Sequence, residues 1–88
     1  MQIKLLTTLR DIADCEEVEM EAKNIRQVIN KLIEKYGSEM EEVLLEQGEL
    51  DENVTILVNR KNIFRLNGLK TELSFDDEIV IFAHILGG

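Results

Sequence analysis

With 88 residues the chain makes one domain, and 44% hydrophobic residues supply it a single modest core despite 32% charged ones. One cysteine, Cys15, excludes an internal disulfide framework and any all-cysteine metal or cluster site within one chain. The formal charge of −8, from 18 acidic and 10 basic residues, is the reverse of the basic footprint a nucleic-acid binder needs. A solvated surface is the simpler account of it, with attraction to a basic partner as the alternative. No basic n-region precedes an apolar h-region, and no apolar run approaches membrane-spanning length, so a soluble cytoplasmic protein is expected.

Residues 2–8 alternate Ile3, Leu5 and Thr7 against Lys4, Leu6 and Thr8, which predicts a strand buried on part of both faces. Leu9-Arg10-Asp11-Ile12 follows as a bend or a short turn of helix. Residues 16–22 set Val18, Met20 and Ala22 against Glu17, Glu19 and Glu21, a strand with one face in water, antiparallel to the first. The period then changes. Ile25, Val28, Ile29, Leu32, Ile33 and Tyr36 fall on one stripe of a helix over 24–36, with Asn24 and Gln27 as a capping box and Gly37 at its end. Ser38 and Glu41 start a shorter helix carrying Met40, Val43 and Leu44.

Residues 49–53 read as a polar loop and Val54 to Val58 as a β-branched strand. Asn59 to Asn62 turn, Ile63 to Leu66 suggest a short strand, and Leu69 and Leu73 plug the core from a loop. Ser74 to Asp77 turn again, and Glu78 to Phe82 form the last strand. The order ββα(α)β(β)β, one amphipathic helix over one sheet, is an α+β domain over residues 1–82 with an exposed tail at 83–88.

Little inside this domain suggests chemistry. Cys15, in a turn, and His84, in the tail, are the only nucleophile and base of the usual kind, and they lie on unrelated segments. No metal-ligand set appears, Asp76-Asp77-Glu78 fits a turn, and no glycine-rich phosphate loop precedes a helix. The ending is different. Two specified glycines occur by chance in about 0.5% of chains, yet AHILGG closes this one directly after its last strand.

Local segments add to that ending. Leu9-Arg10-Asp11-Ile12-Ala13 is similar to the "LRE-hydrophobic" segment after strand one in the small subunit of molybdopterin synthase. Val58 to Ile63 (VNRKNI) resembles that family's "VNGxxI". Leu66 to Leu73 (LNGLKTEL), followed by Asp76 to Ile79 (DDEI), resembles its "GLDTPL…DGDEV". In this order, ahead of a terminal Gly-Gly, they make essentially the whole chain similar to the MoaD/ThiS-like sulfur carriers, a ubiquitin-like family that includes archaeal small modifiers. Arg60 departs from the family's usual glycine, and Ala83-His84 depart from its stiff "FPPVxGG" ending, which leaves the subfamily open.

The resemblance implies a β-grasp fold: a mixed four- to five-stranded sheet packed on one main helix, first and last strands parallel at its centre, and a flexible diglycine tail. It implies that Gly88 is the reactive residue. A separate E1-like enzyme, holding ATP and magnesium, would adenylate its carboxylate, and a sulfur donor would convert it to a thiocarboxylate. That group would donate sulfur in molybdopterin (molybdenum or tungsten cofactor) biosynthesis, with the synthase large subunit as partner. The chain itself would bind no cofactor or metal and hold no self-contained active site. Gly87 and Leu86 would belong to the slender lead that delivers the carboxylate. Phe82 and Arg10 are candidate partner contacts, against the simpler readings of a core residue and a surface ion pair. Attack by a target-protein lysine would instead make a protein modifier, and a tail never activated would leave a ubiquitin-like interaction domain.

Overall fold

The computed structural model describes residues 1–84. The expected reactive end, Leu86, Gly87 and Gly88, therefore lies outside the described residues.

The chain opens with β1 (Gln2–Leu5), in which Ile3 and Leu5 are fully buried. This strand is shorter than the alternation suggests, because Thr7 takes a positive φ of 55° and turns the chain off the sheet into a helix, α1 (Thr8–Ala13). Of the two readings of Leu9 to Ile12, the helical one holds, and buried Leu9 anchors it. β2 (Glu17–Glu19) is also trimmed, since its ladder with β1 covers only Gln2 to Lys4.

The main helix, α2 (Ile25–Tyr36), follows its apolar stripe and buries Ile25, Val28, Ile29 and Leu32. Asn24 Oδ1 accepts the Gln27 N–H at 2.9 Å, while Gln27 Oε1 reaches back to the Lys23 N–H at 2.8 Å, one residue earlier than a strict capping box. Gly37, at φ 83° and ψ −157°, sits in a region open essentially to glycine alone, which lets α3 (Ser38–Leu44) begin at once. Ser38 is therefore inside α3, and no side chain caps that helix.

The expected loop at 49–53 is in part a small hairpin of β3 (Leu45–Glu46) and β4 (Glu49–Leu50). β5 (Val54–Val58) matches its prediction and alternates buried and half-buried residues. Asn59 and Arg60, at φ 51° and 72°, form a two-residue turn into β6 (Lys61–Asn62), the backbone pattern of a hairpin turn that favours glycine at its second position. Arg60→Gly is accordingly expected to raise stability by about 0.5 kcal/mol in urea unfolding, relief of the left-handed strain exceeding the added freedom of the unfolded chain. A lowered urea midpoint would refute this.

Ile63 to Leu66 is not a strand. Asn62 Oδ1 accepts the Phe64 N–H at 2.9 Å and curls Ile63–Arg65 into a 3-10 turn, followed by another at Gly68–Lys70. This connection is tied to the start of α2 by Ile25 N–H to Thr71 O and Leu73 N–H to Lys23 O, at 3.2 and 2.9 Å. The last strand, β7 (Glu78–Ala83), runs one residue past the expected domain end at 82, and Ala83 is buried.

The five-stranded sheet has the order β2-β1-β7-β5-β6. β1 and β7 are parallel at its centre, pairing Leu5 with Ile81, and β5 lies antiparallel on the other side of β7, pairing Ile56 with Ile81. The inner face carries Ile3, Leu5, Val54, Ile56, Ile79 and Ile81 into one core with α2 and α3. This is the ubiquitin-like β-grasp arrangement.

Candidate functional site

β7 ends in the middle of the sheet, between β1 and β5. On the β1 side, Leu6 N–H donates to Ile81 O at 3.1 Å, the last rung between the two backbones. One residue on, the Thr7 hydroxyl takes over, donating to the Ala83 carbonyl at 3.1 Å and lying 3.4 Å from the Ala83 N–H. On the β5 side, His84 N–H donates to Asn53 O at 2.7 Å. Asn53 is in turn held by Asp51, whose Oδ1 accepts its N–H at 2.8 Å. The backbone is therefore directed by the sheet as far as His84, and the expected tail begins later than Ala83.

Phe82 lies on the outer face of β7, opposite Thr55 in register and on the same side as Val80 and Leu57, all half-buried. It belongs to the face turned away from the helices, and the His84 ring meets it edge-on at 5.0 Å between centroids. Arg10, on α1, stands 3.5 Å from the Glu16 carboxylate, both side chains largely in solvent. Phe64 and Phe75 are more exposed than any core argument would place them, at 71% and 86%.

Cys15 and His84 have separate surroundings. The Cys15 thiol contacts the Tyr36 hydroxyl at 3.6 Å, and burial, followed by this hydrogen bond, pushes the Tyr36 phenol up to about 12. Tyr36 therefore stays protonated and neutral at physiological pH. Asp77 spends its two oxygens on Asn59 Nδ2 and the Ser74 N–H, at 2.9 and 2.7 Å, which is turn chemistry. Among the described residues no three His, Cys, Asp or Glu side chains gather, and no helix is long and apolar enough to cross a membrane. Thr7, Asp51 and Asn53, which direct the exit, carried no signal in the sequence pattern.

The fold belongs to a known group of proteins. The family described as the ThiS family matches residues 3–88, all but the first two positions. The chain belongs to the ThiS family. A "Putative sulfur carrier protein" of Archaeoglobus fulgidus is 33% identical over 72 residues, 82% of either chain. The solution structure of small archaeal modifier protein 1 from Methanosarcina acetivorans superimposes with a TM-score of 0.89 at 32% identity, over 99% of this chain and 94% of that one. CysO of Amycolatopsis orientalis, solved in complex with BexX, gives 0.84 at 19% identity over 99% and 98%, a likeness of fold. This ThiS-family chain thus stands among ubiquitin-like sulfur carriers and small modifiers.

Proposed function

We propose that this protein is a cytoplasmic sulfur carrier whose reactive group is the Gly88 carboxylate. The observation that carries the reading is the family match, which continues past the last strand to Gly88 itself. A carboxylate is a poor acyl donor, because displacement at its carbonyl would have to expel an oxide. An E1-like enzyme holding Mg-ATP solves this. The carboxylate attacks the α-phosphate, pyrophosphate leaves, and an acyl adenylate forms. Hydrosulfide-level sulfur then attacks the carbonyl, AMP departs, and a thiocarboxylate remains. Its soft, nucleophilic sulfur passes to an acceptor.

The acceptor we favour is a molybdopterin precursor held by a synthase large subunit. Support comes from the segments Leu9 to Ala13, Val58 to Ile63 and Leu66 to Leu73, each similar in type and order to the synthase small subunit. Phe82 and Arg10 are the proposed contacts with those enzymes. A second reading, conjugation of Gly88 to target-protein lysines, is favoured by the 32% identity to a protein named as a small archaeal modifier.

Intact-mass spectrometry decides between them, after incubation with the E1-like enzyme, Mg-ATP and sodium sulfide. Exchange of one terminal oxygen for sulfur is the expected result. Lysine-linked conjugates without that exchange would favour the modifier reading. Neither product would leave an interaction domain whose tail is never activated.

A further inference from the structure

Thr7 combines a strained backbone with a side chain that its own neighbourhood does not need. Its φ of 55° and ψ of −132° are unfavourable for any L-residue and worst for a β-branched one. Such a conformation persists only where surrounding contacts over-determine it. Thr7 occupies the N-cap position of α1, where a threonine hydroxyl ordinarily caps, yet it makes no cap hydrogen bond. The residue is exposed, so core packing does not explain it either.

What the hydroxyl does instead is close a gap in the sheet. β1 ends at Leu5 and the last backbone rung to β7 leaves from Leu6, so Ala83 has no backbone partner on the β1 side. Ala83 is buried, with 7% of its surface exposed, where an unmatched N–H or C=O is costly. A hydroxyl can donate and accept through a single atom. Thr7 Oγ1 meets both groups of Ala83, at 3.1 and 3.4 Å, across 76 positions of sequence. The Asn53 carbonyl, braced by Asp51, holds His84 from the opposite side at 2.7 Å.

We infer that Thr7 is a positioning residue for the transfer reaction: its hydroxyl, on the side of β7 away from the Asn53 carbonyl, fixes the backbone of Ala83 at the end of the strand that precedes the reactive carboxylate. The inference rests on the sulfur-carrier reading, because it concerns how an activating enzyme receives the chain end. A preset root spares the complex the entropy of ordering Ala83 and His84 on docking. That contribution is equal in the ground and transition states, so it belongs in KM and not in kcat.

The test measures pyrophosphate release by the E1-like enzyme with Mg-ATP, against the concentration of the full chain and its Thr7→Val, Thr7→Gly and Thr7→Ser variants. Valine and glycine are expected to raise KM about tenfold, the worth of ordering one backbone residue, with kcat within about twofold. Serine, which keeps the hydroxyl, is expected to restore KM. Thr7→Gly removes the backbone strain, which offsets the cost of leaving Ala83 unmatched, so its unfolding midpoint should stay near that of the wild type, and this separates positioning from stability. Amide exchange at Ala83, read on the chain alone, should quicken in the valine and glycine variants only. Wild-type turnover with KM unchanged in both those variants, or a serine variant as impaired as valine, would overturn the inference alone. A wild-type chain that releases no pyrophosphate would overturn the carrier reading and the inference with it.

Discussion

Deletion of Gly88 is expected to leave the unfolding transition where it was and to lower adenylation by at least about 100-fold. Among the described residues the buried apolar ones run from Ile3 to Ala83, and the sheet hydrogen bonds past Phe82 are made by Ala83 and His84. Stability should therefore be indifferent to the last position. Reactivity should not be. The shortened chain still ends in a glycine carboxylate, so its intrinsic chemistry is unchanged. What changes is reach: one residue spans roughly 3.3–3.6 Å when extended, whereas a misplacement of about 1 Å can already cost a hundredfold.

A control separates reach from residue type. Deletion of Leu86 shortens the chain equally but keeps Gly87-Gly88 as the final pair. If length from the fixed root governs, both deletions fail alike. If the narrow glycine backbone alone governs, the Leu86 deletion stays active. A Gly88 deletion that is adenylated at the full-length rate would remove Gly88 from the mechanism.

These expectations also mark where the sequence was informative. α2 was legible because six apolar residues share one helical stripe, and Asn24 with Gln27 announced its start. β5 was legible because β-branched residues alternate between two unequal faces. Thr7 misled for a physical reason: it continues the alternation of Ile3 and Leu5, while its positive φ goes with contacts that alternation does not reveal, the Asp11 N–H on its carbonyl and Ala83 on its hydroxyl. Ile63 to Leu66 misled because an Asn62 side chain, bonding the Phe64 N–H, outweighed an apolar run too short to fix its own conformation. At the proposed site, the diglycine stood out as residue type, while Phe82 and Arg10 were candidates only by place, on the last strand and in the Leu9 to Ala13 motif. The clamp on Ala83 was not visible, since a hydroxyl-to-backbone contact between residues 76 apart leaves no periodicity.

Ile81→Ala is expected to cost about 3–4 kcal/mol, in the middle of the range for buried isoleucine truncation. Ile81 is fully buried at the centre of the sheet, paired with Leu5 on one side and Ile56 on the other. Both neighbours are themselves closed off from solvent, so the cavity has no flexible surface chain to fill it. A chain of this length has a total stability of roughly 4–13 kcal/mol, so the loss is a large share. Val80→Ala, one residue away on the half-buried outer face, removes similar chemistry from a site that water can reach, and should cost only about 1 kcal/mol. Urea unfolding of both variants checks the contrast, the midpoint falling with no change in slope. Equal costs on the two faces would refute the placement of the core on the helical side. The expected difference also bears on function, because the strand that carries Ile81 is the one from which the chain end departs. A loosened β7 releases the Leu6 and Thr7 contacts together, so Ile81→Ala should weaken activation through its folded population, whereas Thr7→Gly should weaken it in a chain that remains fully folded.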